Sequence, residues 1–323
     1  MAVYTEVSDK DLRTLATAYD FGEIISCKGI SEGIENSNYL LQTSQDSFIL
    51  TLYERRVNPN DLPFFMSLMD HFAKNGVPCP VPLKGFDGQI LRNVCGKPAA
   101  ITSFLRGNWP RHITEAHCAE LGPALARLHK AGINYDKNRE NNLSIKEWRA
   151  LHNSIGDTAE NFMPGLKGAI ESELDAITSA WPDKNAPLMR GIIHADLFPD
   201  NVFFINGKCT GLIDFYFACT DFLAYDIAIC LNAWCFDSSG VFNTTKANRF
   251  MSGYQSVRRL AGDEKAALPL LARGAAMRFL LTRLYDWINP PLNAYTKPKD
   301  PQEFLDKLNF HRGISDIAHY GIY

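Results

Sequence analysis

Ile192-Ile193-His194-Ala195-Asp196-Leu197-Phe198-Pro199-Asp200-Asn201, followed closely by Leu212-Ile213-Asp214, is the stretch on which the reading of this chain turns. It sets an Asp and an Asn five positions apart on a loop, then a second Asp at the end of a strand. Phosphoryl transfer from ATP needs such a set: one carboxylate to orient the attacking hydroxyl, and an amide oxygen with a second carboxylate to hold Mg²⁺ on the phosphates. Asp196 is the candidate base. A free Asp has a pKa near 3.9 and an alcohol is close to water at about 15.7, so a gap of roughly 12 units stops the carboxylate taking the proton in the ground state. It orients the hydroxyl instead and accepts the proton late. Asn201 and Asp214 are the candidate metal ligands, and the intervening hairpin is expected to fold residue 214 back beside residue 201. His194 is expected to fix the loop by hydrogen bonding rather than to do chemistry.

Outward from this stretch the chain changes character once. Ser8 with Asp11 predicts a helix start. Ile24 to Cys27, Tyr39 to Leu41 and Phe48 to Tyr53 read as three strands. Asn60 predicts the cap of a helix running to about Asn75 and closed by Gly76. Pro78, Pro80 and Pro82 force an extended segment. Asp87-Gly88 then predicts a hairpin between two more strands, ending in the apolar run Ala99 to Leu105. After Gly107-Asn108-Trp109-Pro110 the pattern is helical: a helix opened by Thr114, then stretches over roughly 146–181, 221–236, 244–261 and 264–288. One β-island interrupts them, two strands flanking Asn206-Gly207, the strongest short hairpin signal. The tail after Phe310 carries no clear signal. The pattern predicts an α+β chain: a small antiparallel-sheet N-terminal lobe over 1–104, a linker near 104–110, and a larger, mainly helical C-terminal lobe over 105–323. A cleft between such lobes suits a small ligand.

Composition narrows the class. The chain has 323 residues, 46% hydrophobic and 21% charged, as a globular protein does. A net charge of −3 gives no reason to expect nucleic acid or an anionic membrane as partner. The N-terminus is not a secretory signal, and Asp221, Asp226 and Asn232 interrupt the longest apolar stretch, so no membrane span is expected. None of the eight cysteines forms a CxxC pair, which points to a reducing, cytoplasmic setting and no structural zinc. The oligomeric state is not legible.

Other residues carry weaker signals. Gly29 and Gly33, between the first two strands, would let backbone N–H groups approach phosphate oxygens or would simply turn a hairpin. Asp226, on an apolar helix face, needs partners and is expected to hold the loop; Asp221 is expected to cap that helix. Arg278 and Arg283 in the apolar helix Ala275 to Trp287 are either structural ion pairs or receptors for a carboxylate. Trp234 and Trp287 read as core.

With His194 to Asn201 and Leu212 to Phe215 on the page, the chain resembles the aminoglycoside phosphotransferase and choline kinase superfamily, which has the bilobal protein-kinase-like fold. The stretches Ser31 to Leu41, Phe48 to Arg56, Leu62 to Leu83 and Ile213 to Phe236 more closely resemble homoserine kinases of the bacterial type. The resemblance implies transfer of the ATP γ-phosphate to L-homoserine, with Asp196 as base and Asn201 and Asp214 on Mg²⁺. It also implies phosphates covered by Gly29 to Ser37 (Gly29, Ser31, Gly33, Asn36, Ser37) and adenine met by the Ser103-Phe104-Leu105 backbone. A zwitterionic substrate would pair its carboxylate with a cation, for which Arg278 and Arg283 are the candidates. One feature departs from the superfamily: the third strand should carry a phosphate-gripping Lys, and Thr51 stands there. The helix expected to supply its Glu partner has only Asp61 and Asp70, and Arg55 is the nearest cation on the same strand face. The departure keeps two alternatives in view, a choline- or aminoglycoside-type kinase and a nucleotide-binding protein without catalysis. A metal-dependent phosphoesterase would need a second cluster of metal ligands.

Overall fold

The computed structural model describes residues 4–30, 36–54, 57–290 and 298–322. By compactness the chain forms two units. The first holds Met1–Gly107 with Thr210–Tyr216; the second holds Asn108–Cys209, Phe217–Leu292 and Lys297–Tyr323. The long first segment of the first unit ends at Gly107. Thr210–Tyr216, which the sequence pattern assigns to the C-terminal part, counts with the first unit.

In the first unit, α1 (Asp9–Ala16) starts as expected: the Asp11 amide donates to Ser8 Oγ at 3.2 Å and the Ser8 amide donates to Asp11 Oδ2 at 3.3 Å. Strands β1 (Ile24–Gly29), β2 (Ser37–Thr43) and β3 (Ser47–Leu52) follow, then α2 (Leu62–Lys74), β4 (Arg92–Val94) and β5 (Lys97–Ser103). The sheet is antiparallel in the order β1-β2-β3-β5-β4. Leu41, Leu50, Leu52, Ala99 and Ile101 bury one face against Leu12 and Leu15 of α1, and Tyr19 and Phe21 close that core. Two expectations are corrected. Asn58, not Asn60, caps the turn Pro59–Asp61 that leads into α2. Asp87-Gly88 turns but joins no pair of strands, because the prolines before it have no N–H to give and Pro82 makes only an isolated bridge to Thr102. The hairpin lies at Cys95-Gly96, both left-handed at φ 52° and 74°, between β4 and β5.

The second unit opens with α3 (Glu115–Ile133), capped by Thr114. The expected helix over 146–181 is broken into α4 (Ile145–Ile155), α5 (Ala159–Phe162) and α6 (Leu166–Ala180), with Gly156 and Gly165 at positive φ at the breaks. The next strand, β6 (Arg190–Ile193), leads into β7 (Val202–Ile205) and β8 (Lys208–Leu212), which pair across Asn206-Gly207 as expected. Strand β9 (Cys219–Phe222) pairs antiparallel with β6, a pairing the sequence pattern does not reveal. Helices α7 (Leu223–Trp234), α8 (Thr244–Gln255), α9 (Gly262–Ile288) and α10 (Gln302–Arg312) complete the unit. Asp221 is not a helix cap. It lies in β9, accepts from Asn141 Nδ2 at 2.8 Å and stands 3.8 Å from Arg190. Trp234 is in the core, whereas Trp287 is 44% exposed.

Helices α3 and α8 cross closely because both carry glycine at the contact. A Cβ on Gly122 would lie 2.2 Å from the Phe250 carbonyl oxygen, and one on Gly253 would lie 2.6 Å from that of Ala119. Cys79 in the first unit and Cys118, Cys219, Cys230 and Cys235 in the second are buried free thiols, and burial holds the thiols of Cys79, Cys219, Cys230 and Cys235 above the ordinary range. Among the described residues, no helix is long and apolar enough to cross a membrane.

Candidate active site

The loop between β6 and β7 is tied down by hydrogen bonds along its backbone. Asp226, in the first turn of α7 and fully buried, accepts the His194 amide on Oδ2 at 2.7 Å and the Ala195 amide on Oδ1 at 2.9 Å. Ala195 takes the left-handed conformation, φ 64°, which a Cβ disfavours and which this pair of bonds holds in place. Its carbonyl accepts from Arg278 Nη1 of α9 at 2.6 Å. The Asp196 amide donates to His194 Nδ1 at 3.3 Å, and the Asp196 carbonyl accepts from the Phe198 amide and from Asn201 Nδ2, both at 2.8 Å. Trp234 Nε1 donates to the Leu197 carbonyl at 2.8 Å. His194 and Asp226 thus both hydrogen-bond to the backbone of the loop.

Behind Asp226 runs a buried polar chain. His129 Nε2 lies 3.1 Å from Asp226 Oδ2 and His129 Nδ1 lies 2.8 Å from the Tyr254 hydroxyl. Arg258 Nη1 donates to that hydroxyl at 3.0 Å and Arg258 Nη2 to Glu264 Oε1 at 2.6 Å. Burial lowers the His129 pKa, which disfavours the charged ring; a neutral ring bridges the two groups by donating from one nitrogen and accepting at the other. Burial works against the Asp226 charge, yet His129 and the loop hold its carboxyl below the usual range.

The loop presents two groups. The Asp196 carboxyl is partly accessible but walled by protein, and burial pushes its pKa up to about 6; Arg278 and Lys299 pull it back, while Asp200 and Asp226 add to the rise. Asn201 has its Nδ2 committed to the Asp196 carbonyl, and among the described residues nothing donates to its Oδ1. That oxygen is a hard donor of the kind Mg²⁺ takes.

Asp214 belongs to the first unit, in left-handed backbone at φ 65°. Its segment is pinned there by the Leu212 amide, which donates to the Pro78 carbonyl at 2.7 Å, and by Phe215 against Phe72 and Tyr216 against Phe65, ring centres 5.6 Å apart in each pair. The Tyr53 and Tyr216 hydroxyls meet at 3.0 Å. Burial raises the Tyr53 pKa and the Asp214 charge adds to that rise. Among the described residues, no three His, Cys, Asp or Glu side chains gather as a metal-binding group. Asn201 Oδ1 and the Asp214 carboxylate are each, by their chemistry, donors of the kind Mg²⁺ takes.

The expected nucleotide-loop residues divide. Gly29 ends β1, opposite Tyr39. Ser31, Gly33 and Arg55 lie outside the described residues. The Asn36 and Ser37 side chains are consumed by the fold: Asn36 Oδ1 accepts the Glu54 amide at 3.2 Å, and Ser37 Oγ accepts the Tyr4 and Thr5 amides and donates to Glu54 Oε1 at 2.8 Å. Thr51 Oγ1 donates to Asn38 Oδ1 across the β2–β3 pair at 2.8 Å, so this position binds its own sheet. Asp70 pairs with Lys74 at 2.6 Å. Ser103 is tied to Val81 through its amide and its Oγ, both at 2.9 Å, and the Phe104 amide donates to the Ser47 carbonyl at 3.3 Å. The Leu105 backbone makes no hydrogen bond with any described residue.

Both arginine candidates for a carboxylate are occupied. Arg278 is 2% exposed and stacks 4.4 Å over the Phe279 ring while holding Ala195. Arg283 is bound to Glu303 at 2.5 Å and to the Asp300 carbonyl at 3.2 Å. Sequence reasoning misses Lys299, whose Nζ lies 3.2 Å from Asp200 Oδ2 although 99 residues separate the two. No periodicity or motif marks it.

Residues 26–260 match the model of the phosphotransferase enzyme family, APH. The chain is similar to the homoserine kinase of Paramagnetospirillum magneticum, 58% identical over 328 residues and covering 100% of each chain. It is also similar to the homoserine kinase of Rhodospirillum rubrum, 56% identical over 322 residues, 100% of this chain and 99% of that one. Among solved structures it resembles an amicoumacin kinase in complex with AMP-PNP and Ca²⁺, TM-score 0.69 at 16% identity, covering 96% of this chain and 95% of that one. A spectinomycin phosphotransferase in complex with ADP and spectinomycin has TM-score 0.69 at 14% identity, covering 98% of both chains. These two likenesses are of fold: a kinase-like α+β chain, an antiparallel sheet followed by a mostly helical remainder.

Proposed function

The chain belongs to the phosphotransferase enzyme family, and from this premise we propose that it transfers the γ-phosphoryl group of ATP to the side-chain hydroxyl of L-homoserine. The products are O-phospho-L-homoserine and ADP, a step of threonine biosynthesis, and the setting is the cytoplasm. Two lines support the reading. Identity above one half over whole chains with homoserine kinases supports the substrate. The observation that carries the chemistry is the tied loop, which holds the Asp196 carboxyl out with its pKa raised to about 6.

Asp196 orients the homoserine hydroxyl and takes its proton as the bond to phosphorus forms. Asn201 Oδ1 and the Asp214 carboxylate hold Mg²⁺. When bound, that ion neutralises charge developing on the phosphate oxygens. Gly29 ends β1 and, with Ser31 and Gly33 in the sequence that follows, is assigned to the phosphates. The Leu105 N–H and carbonyl, with no partner among the described residues, are left to the adenine edge. Choline- or aminoglycoside-type kinases and non-catalytic binding are not favoured, because neither fits the identity of the relatives and the second gives Asp196 no role.

Purified protein with Mg-ATP is offered homoserine, serine, choline and kanamycin while ADP release is followed. Homoserine is expected to stimulate release. Stimulation by choline alone, or by none of the four, rejects the proposal. Asp196→Asn is expected to lose at least about a hundredfold in kcat with ATP binding nearly kept; near-normal turnover refutes its role as base.

A further inference from the structure

Four charged side chains act on the Asp196 carboxyl: Arg278, Lys299, Asp200 and Asp226. Two of them are buried and already committed, Arg278 to the Ala195 carbonyl and Asp226 to the His194 and Ala195 amides. The other two are open to solvent, with the Lys299 side chain 60% and the Asp200 side chain 50% exposed. They face each other at 3.2 Å, and Lys299 Nζ is steered by the Phe198 ring, whose centre is 5.5 Å away. Asp200 stands on the short turn Pro199–Asn201, immediately before the proposed metal ligand. An ion pair this exposed contributes little to stability, so separating its members costs little.

A free amino acid carries an ammonium and a carboxylate on one carbon, which makes it the electrical complement of such a pair. Resting on the proposed function, we propose that Lys299 and Asp200 bind the head group of the amino-acid substrate, Lys299 taking the α-carboxylate and Asp200 the α-ammonium. One exposed pair is exchanged for two charge-assisted pairs, beside the Asp196 carboxyl on which both side chains act. Choline offers no carboxylate to Lys299 and no N–H to Asp200. Neither Arg278 nor Arg283 takes part.

The test is steady-state kinetics of the full chain with Mg-ATP and homoserine. Lys299→Met is expected to raise KM for homoserine by about thirtyfold, the scale of one charge-assisted hydrogen bond. Its kcat should stay within about threefold and KM for ATP within about twofold. Lys299→Arg, which keeps the charge, is expected to recover most of the loss, and Asp200→Asn to raise KM for homoserine in the same way. An unchanged KM in Lys299→Met, a loss confined to kcat, or an equal rise in KM for ATP overturns the assignment. If Lys299→Met shows no turnover at all, Lys299→Arg decides: a wild-type KM supports the assignment and an equally dead enzyme overturns it. A wild-type chain inert toward homoserine overturns the proposed function and this inference together, whereas an active wild type with an indifferent Lys299→Met overturns the inference alone.

Discussion

The charge state of Asp196 sets the working pH range. A base must be ionised to accept a proton, and burial has moved the midpoint of this carboxyl up to about 6. Lowering the pH through that value protonates it, so kcat/KM for homoserine should fall about tenfold per unit on the acid side. A pH–rate profile flat to pH 4 would contradict this. The residue type is legible in the motif, but the shift is not: it comes from burial of the carboxyl, with Asp200 and Asp226 adding to it against Arg278 and Lys299, and burial has no local signature in sequence. The same distinction separates the side chains that were read correctly from those that were not. Asp226 could be recognised as a loop support because a carboxylate on an apolar helix face must find donors. Arg283 could not be recognised as spent on Glu303, nor Lys299 as Asp200's partner, because both pairings are made by α10 or the segment before it, and that region has no clear pattern.

Helices α3 and α8 supply the support behind the loop, His129 from one and Tyr254 from the other, and the Gly122–Gly253 crossing brings them within hydrogen-bond distance. Gly122→Ala places a methyl where backbone already stands and should cost about 2 kcal/mol of unfolding free energy, with a fall in kcat as the crossing widens. Gly168 of α6 has nothing within 4 Å of its Cβ position, so Gly168→Ala should stabilise by up to about 1 kcal/mol. Urea unfolding of the two variants checks the contrast. Strands with alternating burial and turns with strong dipeptides were readable. The β6–β9 pairing was not, since β6 is only four residues long and opens on Arg190, β9 is half polar and no turn joins them. The helix expected over 146–181 kept its apolar period across Gly156 and Gly165, and only the left-handed backbone at those glycines breaks it.

At the scale of the molecule the proposed reaction predicts a linked stability. AMP-PNP with Mg²⁺, at a hundred times its Kd, should add about 2.7 kcal/mol to the unfolding free energy of the chain. EDTA should remove most of that gain, and Asn201→Ala should blunt it; a thermal shift indifferent to EDTA would count against the metal assignment. The broad architecture, a sheet-rich beginning and a helical remainder, was legible from where the apolar period changes. The placement of Thr210–Tyr216 with the first unit was not, because it rests on Leu212, Phe215 and Tyr216 meeting residues far earlier in the chain. The buried sulfurs give each unit its own stopwatch. Cys79 reacts with an alkylating reagent only when the first unit opens, and Cys118, Cys219, Cys230 and Cys235 only when the second does. Mass spectrometry of timed labelling therefore tells whether the protein comes apart all at once or in two stages, with no dye or tag introduced.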